Sequence, residues 1–258
     1  MFPIRDHNPS GRTPYVTWVL IAINVLVFLS YWGLFSQPQA LGQFYADYAL
    51  IPAQASLHSF VTSMFLHGGF MHLASNMLFL WIFGDNLEDR MGHVGYLLFY
   101  LASGIAAGMV HVAFSPDSVV PTVGASGAIA GVMGGYLLLY PRARVDVLLI
   151  LIVFFKVFTV PAWTMLLIWF AMQLIGAVGS DPTTGGVAHW AHAGGFAAGL
   201  VLALPIWLRL GGPEFWQRTL GHPPHPETHY ARSGVPVVRR RGGQRDATGN
   251  IPTVRRRR

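Results

Sequence analysis

Six stretches of this chain contain no Asp, Glu, Lys or Arg: residues 15–35, 70–84, 94–114, 124–140, 161–178 and 188–208. A membrane-spanning helix needs about 20 apolar residues, and four of the six reach or nearly reach that length. The runs at 70–84 and 124–140 are short. Short spans are tolerated where a helix end is sunk in protein or lines a cavity. Charged residues make up 11% of the chain and its mean hydropathy is +0.45. A soluble domain carries about 25% charged residues. The chain therefore reads as an all-α polytopic membrane protein. The first run exceeds the roughly 7–15 residues of a secretory signal's apolar region, so it reads as a retained anchor. There is no cysteine, which excludes a disulfide framework, a thiol nucleophile and a thiolate metal site.

Orientation follows from the cations, which collect on the cytoplasmic side. With six spans, Arg5, Arg12, Arg90, Arg142, Arg144, Lys156, Arg209 and the Arg-rich C-terminus share one side. The opposite connections, 36–69, 115–123 and 179–187, hold no Lys or Arg. A seventh span would place the C-terminal arginines outside. Residues 145–160 are therefore expected to form an irregular or interfacial approach to the fifth span. Three regions result: a cytoplasmic segment at 1–14, a six-span domain at 15–210, and an Arg/Pro-rich tail at 211–258 expected to be disordered. The tail reads as a solvated positive-inside segment or as a contact for anionic lipid head groups. The aromatic-rich connection 36–69 is expected to hold short helices embedded at the interface.

Polar side chains inside spans are costly and mark function. His72 and Asn76 stand four residues apart on one face of the second span. Ser126 lies on the fourth, Gln173 on the fifth and His192 on the sixth. No carboxylate lies deep in a span, which argues against a proton or cation pathway. At 1.5 Å per residue, Ser126 lies about 22 Å from Pro141, and His192 about 26 Å from Arg209. Asn76 lies about 14–18 Å from Asp85–Glu88 on the same rise. All three reach the outer half of the bilayer from the cytoplasmic edge.

Small residues flank them at helical spacing. Ser126, Ala130 and Gly134 form one stripe, and His192, Gly195 and Gly199 another. Such stripes let helix backbones touch in lipid. Facing one another, they would bring the Ser126 hydroxyl to the His192 imidazole, an activated nucleophile with its base. Asn76 and His72 could donate to a developing oxyanion. Taken singly, each has a plainer reading: Ser126 as a small packing residue, His192 as a packed histidine, Asn76 as interhelical glue. A metal reading through His67, His72, His189 and His192 lacks an H-E-x-x-H pattern and a carboxylate base.

Four segments together resemble the rhomboid family of intramembrane serine proteases: HGGFMHLASN at 67–76, NLEDRMG at 86–92, GASGAIAG at 124–131 and AHAGGFAAG at 191–199. The resemblance runs from about residue 15 to 210. It implies a six-transmembrane-helix bundle with a Ser–His dyad and no acidic third member, metal, ATP or other cofactor. By position it implies Ser126 as nucleophile, His192 as general base, His72 and Asn76 as oxyanion contributors, and His67 as a structural residue of the outer loop. The implied partners are transmembrane protein substrates and the lipid bilayer, with no nucleic acid. Cleavage is expected near the outer end of a substrate's single span, in a polar cavity capped by 179–187. The expected location is a bacterial cytoplasmic membrane, with both termini cytoplasmic. A catalytically silent binding or quality-control module of the same fold is the alternative, and the joint presence of Ser126, His192 and Asn76 speaks against it. Two positions depart from the family pattern. His58-Ser59 replaces a Trp-Arg pair common in the outer loop. Ala130 replaces an aromatic that some members stack beneath the catalytic histidine, which leaves His192 to be positioned by other contacts.

Overall fold

A computed structural model describes residues 2–151, 154–179, 181 and 185–228. The chain opens with strand β1 (Phe2–Asp6) and helix α1 (Tyr15–Tyr31). The connection at 36–69 holds α2 (Pro38–Tyr48), α3 (Ser59–Thr62) and short 3-10 turns. Then come α4 (Phe70–Phe114), α5 (Ser126–Leu139), strands β2 (Arg144–Leu151) and β3 (Phe154–Pro161), α6 (Ala162–Gly179), α7 (His189–Arg209) and α8 (Pro213–Thr219).

Four segments are helical, long and apolar enough to cross a membrane: 15–36, α4, α6 and α7. Their outward faces carry bare apolar side chains; Leu26, Leu98, Ile175 and Val201 are all more than 60% exposed. An apolar surface of that extent suits lipid and not water. At 45 residues, α4 is twice a span. It breaks at Gly92, where φ is 72° and ψ 165°, a conformation that glycine alone adopts without steric cost. The result is two arms, each about 33 Å long. Both distal ends meet the connection at 36–69. His67, just before the first arm, exchanges backbone hydrogen bonds with the Tyr31 hydroxyl at 2.6 and 2.8 Å. Gly108 on the second arm abuts Phe60 and Leu50. The arms are therefore antiparallel.

Next to the bend, the fully buried Glu88 carboxylate caps α1. It accepts from the Val16 and Thr17 backbone N–H groups at 2.8 Å each, and from the Thr17 hydroxyl at 2.7 Å. An anion at a helix N-terminus satisfies orphan donors and complements the helix dipole. His93 donates to the same carboxylate at 2.6 Å.

Helix α5 is the axis of the bundle, with every residue from Gly127 to Tyr136 buried. Its 14 residues span about 21 Å, short of the roughly 30 Å hydrocarbon core. Its glycines place it. A Cβ on Gly134 would strike the Phe196 carbonyl, and Cβ atoms on Gly195 and Gly199 would strike the backbones of Gly127 and Gly131. The helix backbones thus touch, and on α5 the contact runs through Gly127, Gly131 and Gly134, so Gly127 and Gly131 take the places that the expected stripe gave to Ser126 and Ala130.

The basic end of the bundle corrects two expectations. The chain is not all-helical, and the described residues of 145–160 are not irregular. Antiparallel β1, β2 and β3 form a sheet in that order, with Arg5 opposite Asp146, Asp146 opposite Thr159 and Arg144 opposite Pro161. The physical reason is a period of two. Val145 and Val147 alternate into the core, while Asp146 points away from it. Burial would raise the Asp146 carboxyl, but hydrogen bonds from Thr159, His7 and Arg5 outweigh it and hold it down at about 2.

The expected domain boundary also moves. The compact unit runs to Thr228. Phe215 of α8 is buried, Trp216 Nε1 donates to the Leu138 carbonyl at 2.9 Å, and Thr228 N donates to the His7 carbonyl at 2.8 Å. The start of the Arg/Pro-rich segment is therefore folded, because its few aromatics find an apolar seat beside α5. Residues 229–258, and with them the terminal arginines and their expected lipid contact, lie outside the described residues.

Candidate active site

Ser126 is the first residue of α5, and His192 sits in the first turn of α7. The glycine contacts that press the two helices together bring these ends side by side. His192 Nε2 lies 2.7 Å from Ser126 Oγ.

The other imidazole nitrogen identifies the tautomer. His192 Nδ1 stands 2.9 Å from Gln173 Oε1. The amide orientation of Gln173 is set by its Nε2, which donates to the Trp169 carbonyl one turn back at 3.4 Å. The Gln173 oxygen can only accept, so His192 carries its proton on Nδ1. Its Nε2 then offers a lone pair to the Ser126 hydroxyl. That is the arrangement of a general base facing its nucleophile. The Trp169 ring lies 5.7 Å from the His192 ring, tilted by 31°. Trp169 and Gln173 of α6 thus hold the imidazole where Ala130, buried on α5, offers only a methyl group. The sequence marks Gln173 as an intramembrane polar residue without specifying its partner, and Trp169 is not apparent from hydropathy alone. The signal was the i, i+4 spacing of an aromatic and an amide on one face of α6.

His189 also donates from Nδ1 to Gln173 Oε1, at 2.9 Å. Gly176 makes room for it, since a Cβ there would lie 2.6 Å from the His189 ring.

On the other side of Ser126 lies Gly124, with φ at 131°. A Cβ on Gly124 would fall 2.8 Å from His72 Nε2 and 3.5 Å from Ser126 Oγ. The His72 ring and the serine hydroxyl therefore flank one bare Cα. His72 Nδ1 accepts from the Gly68 N–H at 3.3 Å, which leaves the proton on Nε2, the edge turned to Gly124. Asn76, one turn further along the same face of α4, is buried, and its Nδ2 has no hydrogen-bond partner among the described residues. A buried amide donor left unmade is costly, so Asn76 holds a donor in reserve.

His67 is fully buried and lies edge-on to His72 at 5.2 Å. His58 and Ser59 are joined through Ser56 in the connection at 36–69. Residues 180 and 182–184 of the expected cap at 179–187 lie outside the described residues. Among the described residues, no three His, Asp or Glu side chains are grouped to hold a metal ion.

A family model described as "Rhomboid domain" matches residues 54–209, more than half of the chain. The chain is similar to Rhomboid protein 1, mitochondrial, of Saccharomyces cerevisiae, at 32% identity over 72% of this chain and 51% of that protein. It is similar to Rhomboid-like protein 11, chloroplastic, of Arabidopsis thaliana, at 35% identity over 49% of this chain and 42% of the relative. It is similar to Rhomboid protease GluP of Bacillus subtilis, at 37% identity over 48% of this chain and 24% of that protein. The matched region thus spans about half or less of these relatives' length.

Proposed function

From the premise that the chain belongs to the rhomboid family and is a multi-pass membrane protein, we propose that it is an intramembrane serine endopeptidase. It cleaves single-span membrane proteins near the outer end of their transmembrane helix. The observation that carries this reading is the 2.7 Å contact between Ser126 Oγ and His192 Nε2, with His192 Nδ1 engaged by Gln173.

In this reading the two arms of α4 count separately. With α1, α5, α6 and α7 they make six spans, and both termini lie on the cytoplasmic side with the arginines. Ser126 Oγ attacks the scissile carbonyl as its proton passes to His192 Nε2. The carbonyl oxygen takes the negative charge and is met by Asn76 Nδ2–H and His72 Nε2–H. The His192 imidazolium then returns the proton to the leaving amine, and the C–N bond breaks to leave an acyl ester on Ser126. Water, deprotonated by the same Nε2, hydrolyses the ester and restores the hydroxyl. No step calls for a cofactor. A regular substrate helix hides its carbonyls, so sites rich in small residues and helix breakers are favoured.

The test is cleavage of a single-span reporter in proteoliposomes, with the cut mapped by mass spectrometry. The reading expects one or a few cuts in the outer third of the span with the wild-type chain and none with Ser126→Ala. Equal cleavage by both overturns it.

A further inference from the structure

At the basic end of the bundle, the chain leaves α5, forms β2 and β3, and enters α6. Two backbone hydrogen bonds close this junction: Ala162 N donates to the Ala143 carbonyl at 2.8 Å, and Trp163 N donates to the Pro141 carbonyl at 2.9 Å. They draw Arg142 beside Trp163. A cavity of about 350 Å³ opens there, walled by Arg142, Arg144, Thr159, Pro161 and Trp163. We propose that this cavity binds the phosphate of an anionic phospholipid.

The charge balance supports it. Arg142 is exposed, and its side chain makes no hydrogen bond or ion pair among the described residues. Among the described residues the Arg144 side chain has one partner, Glu227 at 3.5 Å, and Glu227 is shared with His222 at 3.1 Å. The other nearby carboxylate, Asp146, is taken by Arg5, His7 and Thr159. Thr159 donates its hydroxyl to Asp146, so it serves as wall and not as ligand. Two guanidinium groups thus line the cavity with most of their donors unused among the described residues. Planar guanidinium groups match phosphate oxygens pairwise.

The position argues for a lipid and not for free phosphate. Trp163 is in the first turn of α6, one of the helices able to cross a membrane, and is 47% exposed. An indole there suits the head-group level. Leu167, one turn deeper on the same flank, is 44% exposed. A phosphate between the arginines leaves its acyl chains against Trp163 and Leu167. Basic pockets at the ends of membrane helices bind anionic head groups in this way.

The test uses the purified full chain in neutral detergent, with thermal stability followed as dioleoyl phosphatidylglycerol, dioleoyl phosphatidylcholine or inorganic phosphate is added. Phosphatidylglycerol is expected to stabilise the chain saturably, and the other two are not. Arg142→Gln and Arg144→Gln are each expected to weaken the apparent affinity for phosphatidylglycerol roughly fivefold, at the worth of one basic residue near a lipid surface. The arginines beyond residue 228 are unchanged in these variants, so their contribution cancels. A double variant with wild-type affinity overturns the proposal, as does full reproduction of the effect by inorganic phosphate. Should the double variant fail to fold, a head-group photocrosslinking phosphatidylglycerol on the wild-type chain decides. Adducts within 142–167 support the site, and adducts only elsewhere overturn it.

Discussion

Gln173 Oε1 stands 2.9 Å from Nδ1 of both His189 and His192, so one amide oxygen of α6 anchors two imidazoles of α7. For His192 this bond fixes the tautomer and aims Nε2 at Ser126. Gln173→Leu removes the anchor with little change in volume. Turnover is expected to fall about 10- to 100-fold, less than the 10²–10⁴ that a positioned general base supplies. The apparent KM should change little, while the melting temperature should fall, because two imidazole N–H groups lose their acceptor. His189→Ala leaves the Gln173–His192 bond in place and should cost less than tenfold. Steady-state kinetics on one transmembrane substrate checks both. Equal losses in the two variants would mean that His189 matters to the chemistry as much as the anchor does.

His72 and Asn76 lie on one face of α4, His72 with its Nε2 edge toward Gly124 and Asn76 with an unused buried donor. Loss of a single oxyanion donor costs about 10²–10³ in turnover where it acts alone. In the proposed mechanism two donors serve one oxygen. Asn76→Ala and His72→Ala should each cost less than that, and the double variant should not equal the product of the singles. Turnover measured across the four proteins decides. An Asn76→Ala variant that is folded and fully active would reduce Asn76 to a helix contact.

Gly199 has no room for a side chain, since its Cβ would meet the Gly131 backbone. Gly199→Ala forces α7 away from α5. Overpacking of this kind costs about 1–3 kcal/mol. Because His192 and Ser126 ride on those two helices, activity should fall with stability. Gly179→Ala, where a Cβ meets nothing within 4 Å, is the control. Thermal melts of the two variants test the contrast.

Two carboxylates at the basic end respond to pH in opposite senses. Asp146 is held down at about 2 despite its burial, by Thr159, His7 and Arg5. Its contribution is present above the ordinary carboxylate value of 3.8 and is lost as pH falls toward about 2. Asp146→Asn should therefore cost about 2 kcal/mol at neutral pH, and the difference from wild type should close in acid. Asp6 is pushed up to about 7, by burial first and then by the charge of Asp85, against the pull of Asn8 and Tyr136. Its contribution is present at low pH and is lost as pH rises through about 7. Asp6→Asn should thus gain stability on the wild type as pH rises from 5 to 8. Melting curves of both variants and the wild type from pH 2 to 8 give the two signs directly.

The helical architecture was legible because its signals are local: charge-free runs of span length, cations on one side, and small residues at helical spacing. Ser126, His192, His72 and Asn76 stood out because polar groups inside a span are few. The sheet was missed because β1 pairs with β2 across some 140 residues of chain, and a hydropathy reading weighs length above alternation. The folded residues 211–228 were missed because their composition is polar, while their order comes from Phe215 and Trp216 finding a distant apolar surface. Gln173 was visible as a residue but not as an anchor. That role depends on how α6 turns against α7, and no spacing within either helix specifies it.

The central claim is that His192, held by Gln173, activates Ser126. The most direct measurement is covalent labelling of the purified, folded chain with a fluorophosphonate, read by intact mass and peptide mapping. The account predicts a single adduct on Ser126 in the wild type and none in Ser126→Ala. His192→Ala should slow labelling by at least a hundredfold, and Gln173→Leu should give an intermediate rate. Labelling of Ser126 at the wild-type rate in folded His192→Ala, or an adduct that persists in Ser126→Ala, would contradict it.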